Sequence, residues 1–407
     1  MPVVTSLPLT STEVVDDPYP LFAEARRQGS VQWHDGLSMW LTFTHAAANS
    51  VLRARTLGRI WTPRWPDEPM PAFALIHVHS LLESEPPQHT RLRRLVAGAF
   101  ARGHVERLRP QIARLANQLA DQVADEGSDG SVVDLISSYA GPLPVQVIAE
   151  LLGVPAPDWH LLRPWSNAIV KMYEYDVPAA QKVAAEQAAQ EFVEYLRDLV
   201  AARRRAPRQD LISSLIAEVD SDGGRLTEDE LVTTCTLLLN AGHEATVNVV
   251  GNGVTALLTH PEQLQLLRGK ADLLDSAVEE LIRYDSPLQL FERTATEPVR
   301  IGSVTVEPGQ KIAALLGAAN RDPAVFADPD RLDLARWPNP HLGFGAGIHF
   351  CLGAPLARVE LQASLATLLT DLPGLALAGE PTRHPTFTHR GFATLPVTVD
   401  RAELNRS

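Results

Sequence analysis

The run Phe344-Gly345-Ala346-Gly347-Ile348-His349-Phe350-Cys351-Leu352-Gly353 decides how this chain of 407 residues is read, because glycines flank one thiol on both sides. A thiolate that ligates a metal needs backbone N–H groups turned toward it and no bulky neighbour between sulfur and metal. Gly345, Gly347 and Gly353 supply that freedom. The following Ala354-Pro355-Leu356-Ala357-Arg358-Val359-Glu360-Leu361 keeps an apolar helical period, which puts the sulfur at or near a helix N-terminus. The partial positive charge there stabilises an anion. A buried cysteine in a turn is the competing reading, since free cysteines are commonly buried.

This stretch resembles the haem-binding signature of the cytochrome P450 family, Phe-Gly-x-Gly-x-His/Arg-x-Cys-x-Gly, with every fixed position occupied. The resemblance spans about Asp17 to the C-terminal segment, and further motifs follow in the family's order. It implies a mainly α fold with minor antiparallel β and a long central helix crossing the haem. It also implies haem b (iron protoporphyrin IX) as cofactor, Cys351 as its metal ligand, and Phe344, Gly345, His349 and Gly353 as part of its cradle.

With 45% hydrophobic and 21% charged residues the chain can bury a large core, and no Pro/Ser/Gly-rich linker divides it. Candidate haem contacts are scattered from His89 to Cys351, so a single domain over 1–407 is expected. Met1 to Pro20 holds no apolar run of spanning length and no signal pattern, and the only cysteines are Cys235 and Cys351. These features predict a soluble cytoplasmic protein, and because microsomal members of the family carry an N-terminal anchor, the resemblance implies the bacterial type without one. A net charge of -13 argues against nucleic acid. Arg91, Arg93 and Arg94, with Arg102 and Arg107 after them, form a basic island; in the family such a helix lies on the thiolate side, where an acidic ferredoxin docks. A solvated helix face is the alternative for any one of these arginines.

Asp17-Pro18-Tyr19-Pro20 reads as a turn into a helix, and Val31 to Trp33, Asp35-Gly36 and Met39 to Thr42 read as a hairpin. Val105 to Val123, Ala180 to Arg204 and Glu262 to Arg268 show helical spacing, with loops at Pro63 to Pro71 and Pro155 to Pro157. Val299 to Ile301, Val304 to Val306 and Lys311 to Leu316 are expected to form one small antiparallel sheet.

The longest helix candidate, about 227–259, starts on a capping box, Thr227-Glu228-Asp229-Glu230, and stops at His260-Pro261. Inside it Ala241-Gly242-His243-Glu244-Ala245-Thr246 places a carboxylate and a glycine in an apolar helix, where the glycine costs about 1 kcal/mol. Such costs suggest function: Ala241 and Gly242 let the helix lie against the haem, and Glu244 and Thr246 bring protons to dioxygen. A packing glycine and a partly solvated glutamate are the plain alternative. The family has threonine where this chain has Ala245, and one step along a helix turns a side chain by roughly 100°, so Thr246 does not replace it.

Glu280-Leu281-Ile282-Arg283 matches the family's Glu-x-x-Arg, and Arg336 aligns with that motif's third partner. The resemblance makes the three a buried structural network holding the cysteine loop. It gives the haem propionates to His89 and Arg93, four apart on one helix face, to Arg293 and to His349. No His-x-x-x-His or Cys-x-x-Cys supports zinc, and no glycine fingerprint supports a fused flavin domain. A substrate pocket is expected from Ala241, Ala245, Leu288, Gln289, Leu290, Phe291 and the turn ending in Phe392, with the loop from Ile60 to Val78 and the region Trp165 to Tyr175.

The function this implies is a haem-thiolate monooxygenase of secondary metabolism that inserts one atom of O2 into a lipophilic small molecule. Electrons come from a ferredoxin and its reductase. Two alternatives stay open: a peroxide-driven peroxygenase, and a non-oxygenating haem protein that recruits a partner enzyme.

Overall fold

The computed structural model describes residues 4–5, 7–9, 11–60, 69–175, 177–218 and 224–399. In chain order the helices are α1 (Thr12–Asp16), α2 (Tyr19–Gln28), α3 (His45–Arg53), α4 (Pro71–Val78), α5 (Gln88–Ala97), α6 (Arg102–Glu126), α7 (Pro142–Leu152) and α8 (Trp159–Val170). There follow α9 (Ala179–Arg205), α10 (Leu211–Ala217), α11 (Glu228–Thr259), α12 (Pro261–Gly269), α13 (Leu274–Tyr284), α14 (Leu316–Ala319) and α15 (Ala354–Asp371). The strands are β1 (Val4–Thr5), β2 (Val31–His34), β3 (Met39–Thr42), β4 (Leu57–Gly58), β5 (Val133–Asp134), β6 (Leu290–Ala295) and β7 (Val299–Ile301). The remainder are β8 (Val304–Val306), β9 (Lys311–Leu315), β10 (Ala376–Leu377), β11 (Thr382–Arg383), β12 (Phe392–Thr394) and β13 (Pro396–Thr398).

The chain divides into two compact units. The first holds 1–58, 109–140 and 245–407, the second 59–108 and 141–244. Among the described residues all strands lie in the first unit. Its main sheet runs β1-β2-β3-β9-β6-β4. The expected hairpin forms, pairing Trp33 with Trp40, whose rings meet edge to face at 5.2 Å. Its turn takes the left-handed conformation at Ser38 (φ 51°) rather than at Gly36.

One expectation is corrected. β7 and β8 pair only with each other, while β9 joins the main sheet, parallel to β3 and antiparallel to β6. Burial explains the separation: Ile312, Ala313, Ala314 and Leu315 are fully buried, so this strand needs both faces covered. Beneath the sheet Val51, Leu52, Ile312, Leu316 and Leu342 share one apolar cluster.

In the second unit α8 and α9 pack through stacked Trp165 and Phe192, with ring centroids 5.3 Å apart. α4 occupies Pro71 to Val78, which the sequence had as loop; Pro71 stands in its first turn, where a missing N–H costs nothing. Residues 61–68 of that expected loop lie outside the described residues. The capping box opens α11 as expected: the Glu230 N–H donates to Thr227 Oγ1 (3.2 Å), and Thr227 N–H donates to Glu230 Oε2 (3.0 Å). Among the described residues no helix is long and apolar enough to cross a membrane.

Candidate active site

The cysteine loop takes its shape from backbone hydrogen bonds and two left-handed glycines, Gly345 (φ 68°) and Gly347 (φ 73°). Cys351 N–H donates to the Phe344 carbonyl (2.9 Å), and Gly345 N–H to the Leu342 carbonyl (2.8 Å). Gly347 lies so close to α3 that a Cβ there would collide with the Leu52 carbonyl. Gly353 caps the N-terminus of α15, with Pro355 in the first turn, so Cys351 stands just ahead of a helix of 18 residues. The thiol is in no disulfide and is half-buried.

These residues fit a haem. A Cβ built on Gly353 meets nothing nearer than Cys351 Sγ at 4.0 Å, which leaves the sulfur unobstructed on that side. Among the described residues no three His, Cys, Asp or Glu side chains gather to hold a metal ion. A soft thiolate ahead of a helix N-terminus suits the iron of a haem, whose remaining donors the macrocycle supplies.

Arg293, on β6, is 4% exposed. Its guanidinium stands 5.9 Å from the Phe291 ring centre, and that ring is the nearest neighbour a Cβ on Gly345 would meet, at 3.6 Å. The structure thus brings Phe291, Arg293 and the cysteine loop together. Gln289 turns elsewhere: it is fully buried, its amide donates to the Ser286 carbonyl (2.8 Å), and its oxygen faces Gly317. Leu290 is buried in the sheet, while Leu288 and Phe291 are half-buried. Phe392 opens β12, with its ring under the Arg383 guanidinium (4.2 Å) and close to Gly251 of α11.

Glu280, Arg283 and Arg336 form the expected network. Arg283, wholly buried, donates to both Glu280 oxygens (2.7 and 2.8 Å) and to the carbonyls of Asn320, Pro329 and Arg331. Arg336 Nε donates to both Glu280 oxygens at 3.1 Å, and Asn339 and the Asp333 N–H add two more bonds. Asn320 accepts from Leu342 N–H (2.7 Å), so the network reaches the residue whose carbonyl holds Gly345.

In the second unit His89 and Arg93 both lie on α5, and His89 is buried. Arg91 of the basic island is ion-paired with Glu230 rather than displayed alone. Along α11 the run from Glu230 to Val254 is buried apart from Leu237 and the stretch Ala241, Gly242, Glu244 and Ala245. The small and acidic residues therefore mark where this helix offers its surface. Gly242 packs on Ile148 of α7. The division between units falls after Glu244, and Ala245 and Thr246 belong to the first; Thr246 is buried.

Two groups escape a reading along the sequence. His243 is buried with Nδ1 3.3 Å from Ser166 Oγ and 3.9 Å from Glu244 Oε2. Burial drives its imidazole down to about 4; Glu244 pulls the other way and Arg163 adds to the fall. Glu279 receives two hydrogen bonds from Arg358 and one from His341. The only signal for the second group is a charged residue in the first turns of the helix after Cys351.

The cytochrome P450 family model matches residues 144–396. Cytochrome P450 monooxygenase PikC of Streptomyces venezuelae is 40% identical over 97% of this chain and 94% of its own length. Vitamin D(3) 25-hydroxylase of Pseudonocardia autotrophica is 40% identical over 94% of each. The solved structure of P450BioI in complex with hexadec-9Z-enoic acid ligated acyl carrier protein superimposes with a TM-score of 0.89 at 36% identity, covering 96% of this chain and all of the other. The cysteine loop, the Glu280 network and this similarity over nearly the whole length agree: the chain belongs to the cytochrome P450 family and is a P450 monooxygenase.

Proposed function

We propose that the protein binds haem b through Cys351 and, in the cytoplasm, inserts one atom of O2 into a lipophilic small molecule, with electrons from a ferredoxin and its reductase. The observation that carries this is the position of Cys351, a thiol outside any disulfide on a glycine-shaped loop just ahead of the N-terminus of α15. His89, Arg93, Arg293 and His349 take the propionates, and Phe344, Gly345, Gly353, Ala241 and Gly242 line the ring. When bound, the haem supplies the activation of dioxygen. A lipophilic substrate is supported by the small and apolar residues at the accessible stretch of α11. It is also supported by one relative named for vitamin D(3) and another solved in complex with an acyl carrier protein ligated to hexadec-9Z-enoic acid.

The chain's own residues then bind, orient and move protons. Glu244, half-buried and accessible, holds the proton to be delivered. Ala245 has no hydroxyl to pass it on, and Thr246 is turned away by one helical step of roughly 100°. An ordered water or a hydroxyl of the substrate therefore completes the path. The same gap favours a second reading, in which hydrogen peroxide replaces O2 and the ferredoxin.

Turnover under 18O2 with a ferredoxin, its reductase and NADPH, against hydrogen peroxide alone, separates the two. Label in the product of the ferredoxin reaction supports the monooxygenase; product formed only with peroxide overturns it.

A further inference from the structure

We propose that Glu279 and Arg358 form a charge pair that sets how much negative charge the Cys351 sulfur offers its metal, and so tunes the reduction potential of the bound haem. The proposal rests on the reading of Cys351 as the haem ligand and adds two positioning residues to it.

Arg358 lies in the second turn of α15, the helix whose N-terminus faces Cys351. Its Nε and Nη2 donate to Glu279 Oε1 and Oε2 at 2.6 and 2.8 Å, a two-point grip that fixes the guanidinium plane. That plane sits 4.5 Å from the ring centre of Phe344, the residue whose carbonyl accepts the Cys351 N–H. The cation is thereby fixed against the loop residue whose carbonyl positions the sulfur's own backbone. Glu279 comes from α13 and also accepts from His341 Nε2 (3.0 Å). Burial pushes the Glu279 carboxyl up, but the bonds from Arg358 and His341 outweigh it and hold it at about 2, so it is ionised at any working pH. The Arg358 guanidinium is held protonated first by its bond to Glu279, and the Cys351 sulfur adds to that.

Opposite charges at fixed places near a thiolate act with opposite signs. Arg358 draws charge from the metal bond; Glu279 cancels part of that field. Groups around a metal's ligands commonly set its chemistry in this way. A purely structural tie between α13 and α15 makes a different forecast, because breaking it from either end loosens the same contact.

The test uses the holoenzyme, with haem content checked in each variant and the potential measured by spectroelectrochemical titration without substrate. Glu279→Gln shifts the potential positive and Arg358→Gln shifts it negative. Glu279→Asp and Arg358→Lys, which keep the charges, stay near the parent, and Glu279→Gln with Arg358→Gln falls between the single variants. Shifts of the same sign, or none beyond replicate scatter, overturn the proposal. If Arg358→Gln fails to take up haem, Glu279→Gln against Glu279→Asp decides: equal potentials overturn the proposal, and a positive shift in the glutamine variant alone supports it. A parent protein without a thiolate-type carbon-monoxide spectrum sinks the ligand reading itself, whereas a thiolate spectrum with same-sign shifts sinks only the tuning.

Discussion

Glu280→Gln tests whether the network before the cysteine loop is what holds that loop. The substitution keeps the shape of the side chain and removes its charge. Arg283 is then left wholly buried with three carbonyl partners and no anion, and Arg336 loses the same counter-charge. Removing one partner of a buried pair costs about 3–5 kcal/mol, because the remaining charge is uncompensated. Native proteins hold only about 5–15 kcal/mol in all, so roughly a fifth or more of the margin is lost. Through Asn320 and Leu342 the loosening reaches Gly345, so haem uptake falls along with stability. Denaturant unfolding and the ratio of haem to protein read the two effects. A variant within about 1 kcal/mol of the parent and with full haem content would refute the reasoning.

Other outcomes follow from single residues. Gly347→Ala forces a side chain into the left-handed region, at about 1–2 kcal/mol, and onto the Leu52 carbonyl, so it lowers the unfolding midpoint and the haem content; an unchanged protein contradicts the close approach. His243 is held neutral by burial, with its folded value near 4 against 6.5 when unfolded. The unfolded chain therefore takes up the proton first as pH falls, and stability present above 6.5 is lost between 6.5 and 4, by up to about 3 kcal/mol. His243→Gln flattens that stretch of the stability profile, measured by unfolding at a series of pH values; an unaltered slope argues that other groups carry it. Ala245→Thr supplies the missing hydroxyl and changes the fraction of NADPH recovered as product, and equal coupling with every substrate would remove the water or substrate hydroxyl from the proton path.

Much of this arrangement was legible because it is local. The loop and helix around Cys351, the Thr227–Glu230 box and the Trp33–Trp40 hairpin are each specified within about ten residues. Helices expected from Val105 to Val123 and Ala180 to Arg204 occur as α6 and α9. What escaped depends on distant partners. Lys311 to Leu315 looks like the strands just before it, yet its parallel neighbour is β3, some 270 residues earlier. Nothing in a local pattern encodes that pairing. Arg358 and Glu279, 79 residues apart, and His243 and Ser166, 77 apart, are likewise joined only by the fold. Gln289 shows a third limit: the hydrogen bond that fixes its buried amide to the Ser286 carbonyl is not specified by the apolar pattern around it.

The account depends most on the bond between Cys351 and iron. Reducing the purified, haem-loaded protein with dithionite and adding carbon monoxide measures it directly. The account predicts a strongly red-shifted Soret band that is lost in Cys351→Ala. An unshifted band from the folded parent protein, or a shifted band that survives Cys351→Ala, would contradict it.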